Sequence, residues 1–409
     1  MVMTRRDCTA LRDARSPLAN SGLAVIAMFG LMLTACAGDR PSSSVSKRDS
    51  AGITIIESTS PRWSSEEGWL IDATPVLDLA TSGVGPPHEF YRVRDAIRLP
   101  DGSIAVADHG SCEVRLFSIT GEFLRAVGRR GEGPGEFERL TSIHRIRGDS
   151  LVALDYWLRR ITVLGPDLSV GRTFSLIGDG LRVSELTTLD DTTLVATFYS
   201  LADFEGVNGL YRGMNPVITI SLNGAVLDTV TSIAGDESFE GPTFSAPALF
   251  GKHSHITAHQ GLIYLGSADQ MQFEVVSPAG LLKRIVRIPD VDLSVSGQEI
   301  QEERDALAGP SPTQYIKEIF AAVPEPETRP AYSDLLIDTE GFVWVAQHLG
   351  EAERDEPRDW WVFTPEGEWL GSVQVPGRFT LYEIGLDYML GRLLDDMDVE
   401  HVQLLSLIR

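Results

Sequence analysis

From Leu99 to the C-terminus the chain repeats one unit: a turn, a short apolar strand, a loop, a second apolar strand, a tight turn and a third strand. A repeat of that length limits the possible folds more than any other feature, because no single copy can bury its own apolar faces. The clearest copy is LPDGSIAVADHGSCEVRLFSITGEFLRAVG, Leu99 to Gly128. In it IAVA and VRLF pattern as strands, and Asp-Gly and Thr-Gly supply hairpin turns. Further copies read IRGDSLVALDYWLRRITVLGPDLSVGRTFSL, LDDTTLVATF with VITISLNGAVLDTVTSI, HQGLIYLGS with FEVVSPAGLLKRIVRIP, and DTEGFVWVAQHLG with WWVFTPEGEWLGSVQV. Equivalent strands start at Ile104, Leu151, Leu194, Leu262 and Val343, a period of about 45 residues wherever nothing is inserted.

The last copy, IGLDYMLGRLLDDMDVEHVQLLSL, stops after its third strand. A long unpaired edge there would invite aggregation, so another segment must cover it. PVLDLA, Pro75 to Ala80, matches the missing fourth strand. The segment after it, SGVGPPHEFYRVRDAIRL, parallels GRRGEGPGEFERLTSIHRI, with Phe90 and Phe137 each six residues ahead of an apolar strand residue, Ala96 and Ile143. Five full repeats and one shared between the termini predict an all-β chain. The expected fold is a six-bladed β-propeller closed by an N-terminal strand that completes the C-terminal blade. Amphipathic helices do not alternate with the strands, which disfavours a TIM barrel.

One stretch departs from the strand pattern. Residues 291–332 carry helix-forming runs at about Gln298 to Leu307 and Pro312 to Ala322, with Ser296 or Ser311 able to cap. This predicts a small helical insertion between blades 4 and 5, on the face shared by the blade-to-blade crossings and the loops between second and third strands. A lid over the central channel is the functional expectation, and a decoration packed on the rim the plainer one.

The DGxIxVAD, VxxFxxxGxFL and GxGPGEF elements resemble those of six-bladed propellers of the NHL type, including bacterial lipoproteins known only as six-bladed propellers. The resemblance covers nearly the whole chain after about residue 53 and specifies fold rather than chemistry. Related folds bind ligands in many proteins and catalyse in some.

The N-terminus predicts an address. Arg5, Arg6, Arg12 and Arg15 precede the apolar run LAVIAMFGLML, Leu23 to Leu33, which ends in LTAC. About 20 apolar residues are needed to span a bilayer, so the run reads as a secretory signal over residues 1–35. LTAC resembles the bacterial lipoprotein box, which implies lipidation of Cys36 and an anchor without a spanning helix. Residues 36–52, polar and Ser-rich, are expected to be a flexible tether to a propeller over 53–409. Ala37, where the Gram-negative retention pattern has Asp, leans the expectation toward the outer membrane. With Cys8 in the leader and Cys36 lipidated, Cys112 has no disulfide partner.

The formal charge is −23, and the leader carries four arginines and two aspartates, so its loss leaves −25. A surface of that sign repels phosphate backbones and argues against nucleic acid as a partner. An unidentified protein, peptide or small-molecule ligand is expected, with the chain a monomer. No GxSxG, HExxH, P-loop or EF-hand spacing appears.

Candidate site residues follow from position. GRRGEGPGEF, Gly128 to Phe137, lacks a GK[ST] ending, leads into a strand rather than a helix, and has a partial twin at Gly83 to Phe90. It is therefore a crossing between blades, with Arg129, Arg130, Glu132 and Glu136 held over the ligand face. Asp108, His109, Asp155 and His348 sit at the ends of second strands on that face, and Asp108 would ordinarily accept backbone hydrogen bonds in its turn. Tyr156, Trp157, Tyr199 and Trp344 either line a surface or pack between blades. In HSHITAH, His253 and His255 alternate along an innermost strand, weak candidates for a metal if a third ligand converged. No cofactor is predicted. A calcium- or zinc-dependent lactonase, hydrolase or lyase at the channel is the alternative to a binding module, implied by similarity to metal-bearing propeller enzymes.

Overall fold

The computed structural model describes residues 44–409 apart from 65, 66, 177–179 and 205. The expected leader, Cys36 and the first part of the expected tether lie outside the described residues.

Six four-stranded antiparallel blades form a ring. Blade 1 runs Val93–Arg98, Ile104–Asp108, Glu113–Phe117 and Phe123–Gly128 from the inside outward. Blades 2 to 5 begin with the innermost strands Leu140–Arg145, Leu181–Asp190, His255–His259 and Asp334–Ile337. Blade 6 takes Phe379–Ile384, Tyr388–Leu394 and Glu400–Ile408 from the C-terminus and Leu70–Asp78 from the N-terminal region, with Gln403 opposite Asp78 and Leu404 opposite Leu77. The ring closes by the exchange that the incomplete last repeat predicts.

The strands alternate so that both faces of each blade are apolar, and each face meets the next blade. Ala105 and Val114 of blade 1 pack on Leu140, Ile143 and Leu151 of blade 2. Comparable clusters fill the other five boundaries, the last joining Leu390 and Val402 of blade 6 to Val93 and Val106 of blade 1. Trp344, fully buried between blades 5 and 6, donates its indole N–H to Asp338 at 3.1 Å, so its burial leaves no polar group unpaired. Burying a side chain of this class contributes about 2–3 kcal/mol, and the ring repeats the arrangement at every boundary.

Three additions decorate the ring. Val45–Ser50, part of the expected tether, is instead a strand that pairs with Ile53–Ser58, and Ile53–Ser58 runs parallel to the outer strand of blade 4. Ala51 and Gly52, both at positive φ, make the tight turn between the two strands, and Ile55 and Ile56 are buried, which gives the hairpin an apolar side to dock. Insertions in and after blade 3 form a small sheet of Gly209–Tyr211, Ser238–Glu240 and Ser245–Pro247. The 291–332 segment holds α1, Gly297–Ala308, and α2, Gln314–Ala322. Ser296 and Glu299 make a reciprocal capping box at the start of α1. Ile300 and Val323 pack with Phe239, Leu249 and Phe250, so the helices rest on the blade 3–4 insertion.

Candidate binding site at the loop face

The crossing at GRRGEGPGEF is built to hold itself. Gly131 donates to the Phe137 carbonyl, Phe137 to the Arg129 carbonyl, and Gly133 to Glu136 Oε2 at 2.8 Å. Amides that a phosphate cradle would aim at a ligand are thus already occupied. A Cβ on Gly131 would sit 2.2 Å from Glu136 Oε2 at a φ of 153°, so only glycine fits. Arg129 pairs with Glu136 at 2.6 Å, and Arg160 ties the carbonyls of Glu132, Gly133 and Glu136 to blade 2. Arg129, Glu132 and Glu136 therefore brace the crossing, and Arg130 alone of the four lines a recess.

Asp108 and Asp155 are buried rather than presented on the face. Asp155 accepts the N–H groups of Glu138 at 2.7 Å, Arg139 at 3.3 Å and Leu158 at 2.8 Å, locking the incoming crossing to the loop after its own strand. Asp108 accepts from Ser111 and Tyr91 and lies 3.4 Å from Arg115. Their role is to shape the loops that carry other side chains. Cys112, buried beneath the same loops with its thiol pKa raised by burial, is no reactive group.

Inside the channel, carboxylates hold the ring together. The register slips by one residue at Arg94, Thr141, Ser184 and Tyr382 on four innermost strands. At Arg94, Ser184 and Tyr382 the next residue is an acid that accepts a backbone N–H of a neighbouring blade, whereas in blade 2 it is Ser142. Asp95 accepts from Ile143 at 2.9 Å, Glu185 from Ile256 at 2.5 Å and Glu383 from Arg98 at 3.2 Å. Burial pushes Asp95 up to about 7 and His144 down to about 4. Burial also opposes a charged His255, but Glu185 at 3.4 Å and Asp334 at 4.0 Å outweigh it and raise its pKa.

His253 and His255 do not converge. His253 lies before the innermost strand, exposed beside Asp236 at 3.2 Å, whereas His255 enters the channel. His348 stacks edge-on against Phe250 at 5.7 Å, and burial lowers its pKa to about 4. Among the described residues no group of three His, Cys, Asp or Glu side chains is placed to hold a metal ion.

Among the described residues several recesses open on the loop face beside the channel; one, of about 510 Å³, sets Arg354, Arg358, Arg378 and Arg392 among the carboxylates of Asp334, Glu351, Asp355 and Asp398, and two others meet at Arg139. The larger of these two, of about 660 Å³, is lined by Tyr156, Tyr199, Phe204, Tyr211, Asn215 and the small sheet. The Tyr156 and Tyr199 hydroxyls hydrogen-bond at 2.5 Å, and desolvation together with that bond raises the Tyr199 pKa. The smaller, of about 380 Å³, gathers Arg92, Arg94, Arg130 and Arg139 around His109, with Glu138 and the exposed Trp157. Arg139 lines both recesses and lies over the Tyr156 ring at 4.7 Å. Position in the repeat identified His109 and Arg130 in the sequence but not Arg92, Arg94 and Arg139. Their signal is faint, basic residues flanking the first residue of an innermost strand in YRVRD and FERLT.

The chain is a six-bladed β-propeller, and its sequence agrees with its architecture. Residues 91–163 match the profile of the DUF5128 family, described as 6-bladed beta-propeller. A crystal structure of a DUF4221 family member from Bacteroides vulgatus superposes with a TM-score of 0.50 at 10% identity, over 82% of this chain and 97% of that one. A candidate exported protein from Bacteroides fragilis aligns over 84% of this chain and 94% of its own, at 13% identity and a TM-score of 0.49. A gluconolactonase from Xanthomonas campestris aligns over 78% and 88%, at 10% identity and a TM-score of 0.43. No curated protein sequence matches the chain. Among the described residues no helix is long and apolar enough to cross a membrane.

Proposed function

We propose that this chain is an exported, lipid-anchored binding module of the cell envelope, and that it takes a small molecule in the tyrosine-lined recess on its loop face. One observation carries the reading. The recess of about 660 Å³ falls in the range of small-molecule sites and offers aromatic faces beside a few polar groups, Asn215 and Arg139 among them. The channel carboxylates, by contrast, are engaged in joining blades. Export and anchoring rest on the leader and on Cys36 in LTAC.

Thermal-shift screening of the purified full chain against small molecules, followed by titration of Tyr156→Ala and Tyr199→Ala, tests the site. A ligand whose affinity falls at least tenfold in either variant supports it. Binding indifferent to both variants, or lactone turnover abolished by a chelator, overturns it in favour of the enzyme. Palmitate labelling lost in Cys36→Ser supports the anchor, and labelling that persists refutes it.

A further inference from the structure

We infer that the arginine-lined recess is an anion site, taking a carboxylate or phosphate group carried by a small molecule. The inference goes beyond the binding reading above, because it concerns the neighbouring recess, which shares only Arg139 with the tyrosine-lined one.

The charge inventory makes the site conspicuous. Acidic residues outnumber basic ones 58 to 35 in the chain, yet four arginines converge on one opening that offers a single carboxylate, Glu138. Several arginines elsewhere are consumed locally. Arg115, Arg129, Arg212, Arg287 and Arg378 all hold carboxylates. In the recess only Arg130 does, at 3.4 Å from Glu138. Among the described residues Arg92, Arg94 and Arg139 have no carboxylate partner, although Arg92 and Arg139 lie over the rings of Tyr91 and Tyr156.

Like charges held together unpaired cost free energy unless something offsets them. The cost shows in the neighbours. Arg94 is partly desolvated and faces Arg139 and Arg392, which together lower its pKa. His109 is disfavoured as a cation by burial and then by Arg94, Arg139, Arg92 and Arg130. A second observation points the same way. His109 lines the recess, and its Nδ1 is buried with no hydrogen-bond partner among the described residues. Guanidinium groups match the oxygen spacing of carboxylates and phosphates, so each can donate two parallel N–H bonds to such a group. Trp157, 66% exposed, stands at the rim as a flat surface for the uncharged part of the ligand.

Isothermal titration calorimetry of the full chain with citrate and with pyrophosphate, at about 50 mM and 200 mM salt, tests the site. Citrate reports a carboxylate preference and pyrophosphate a phosphate preference. At least one should bind, more weakly at the higher salt, with affinity falling tenfold or more in Arg94→Gln/Arg139→Gln. Arg125→Gln, on the outer strand of blade 1 beside Asp167, should bind as the parent does. Circular dichroism and thermal unfolding verify that the double variant is folded, and Arg94→Lys/Arg139→Lys should recover part of the affinity. Failure of both anions to bind, or binding unchanged in the folded double variant, overturns the inference. Failure of both anions to bind, beside an uncharged ligand lost in Tyr156→Ala, would sink the anion site and leave the binding reading standing. Anion binding alongside ligands indifferent to both tyrosines would do the reverse.

Discussion

Asp155 is the sharpest test of how the loop face is built, because a carboxylate there looks functional in the sequence and structural in the fold. Replacing Asp155 by Ala strands three backbone N–H groups, those of Glu138, Arg139 and Leu158, in a place where Asp155 itself is fully buried. Each buried donor left without an acceptor costs about 1–3 kcal/mol. The three bonds are only partly buried and the Arg139 bond, at 3.3 Å, is the weakest, so water offsets part of the cost and a total of about 3 kcal/mol is expected. Urea-induced unfolding followed by tryptophan fluorescence measures this as a lower midpoint. Asp155→Asn, which keeps one oxygen, should lose about half as much. Asp167→Ala, an exposed substitution in a turn, should change stability by under about 1 kcal/mol. If Asp155→Ala unfolds within about 1 kcal/mol of the parent, the three bonds do not hold the crossing and Asp155 returns to the list of ligand groups.

Phe137→Ala removes a fully buried ring from the blade 1–2 boundary and should cost about 3–5 kcal/mol in the same unfolding assay. Asp95 sets a pH dependence whose sign follows from its raised pKa. Between the unperturbed 3.8 and about 7 the unfolded chain gives up a proton that the folded chain keeps. Its contribution is therefore greatest at low pH and falls as pH rises through that window, by on the order of 4 kcal/mol. The stability of the parent relative to Asp95→Asn should fall accordingly from pH 4 to pH 7, and a flat difference would contradict the assignment. Ile300→Ala should release the helical insertion before the propeller unfolds, seen as limited proteolysis within 291–332 at a midpoint of global unfolding that barely moves.

The repeat made the blades legible, because its strands are short and bounded by Asp-Gly and Thr-Gly turns that have few other conformations open to them. Closure was legible for a related reason: a three-stranded last copy and an orphan PVLDLA leave only one pairing that removes an edge. Val45–Ser50 was not legible, since VSKRDS has the polar composition of a tether and becomes a strand only because ITIIES beside it has an apolar side to bury. The small sheet escaped for the same reason, its three-residue strands carrying no period of their own. At the candidate site, position in the repeat identified the loops but not which side chain on each would matter. Asp108 and His109 are adjacent in sequence, yet one turns inward to bind backbone and the other lines the recess.

The same ambiguity, carried one step further, connects the ring to its candidate site. Arg94 and Asp95 are neighbours with opposite charges, and on a regular strand they would point to opposite faces of the blade. The extra residue in the register at Arg94 breaks that alternation. Asp95 is left to reach blade 2 and accept the N–H of Ile143, while Arg94 is left at the mouth among Arg92, Arg130 and Arg139. Blade 3 repeats the device, with Ser184 at the slip lining the tyrosine recess and Glu185 behind it accepting from Ile256. In blade 6, Tyr382 at the slip donates to the Val93 carbonyl, and Glu383 behind it accepts from Arg98. These three slips, unlike the one at Thr141 in blade 2, thus separate two tasks along a few residues of chain, joining one blade to the next and, in blades 1 and 3, supplying a side chain to the binding face. A propeller that closes through such slips can vary the residue at the slip without touching the clamp behind it, which lets one stable ring carry a cationic mouth on an otherwise acidic protein.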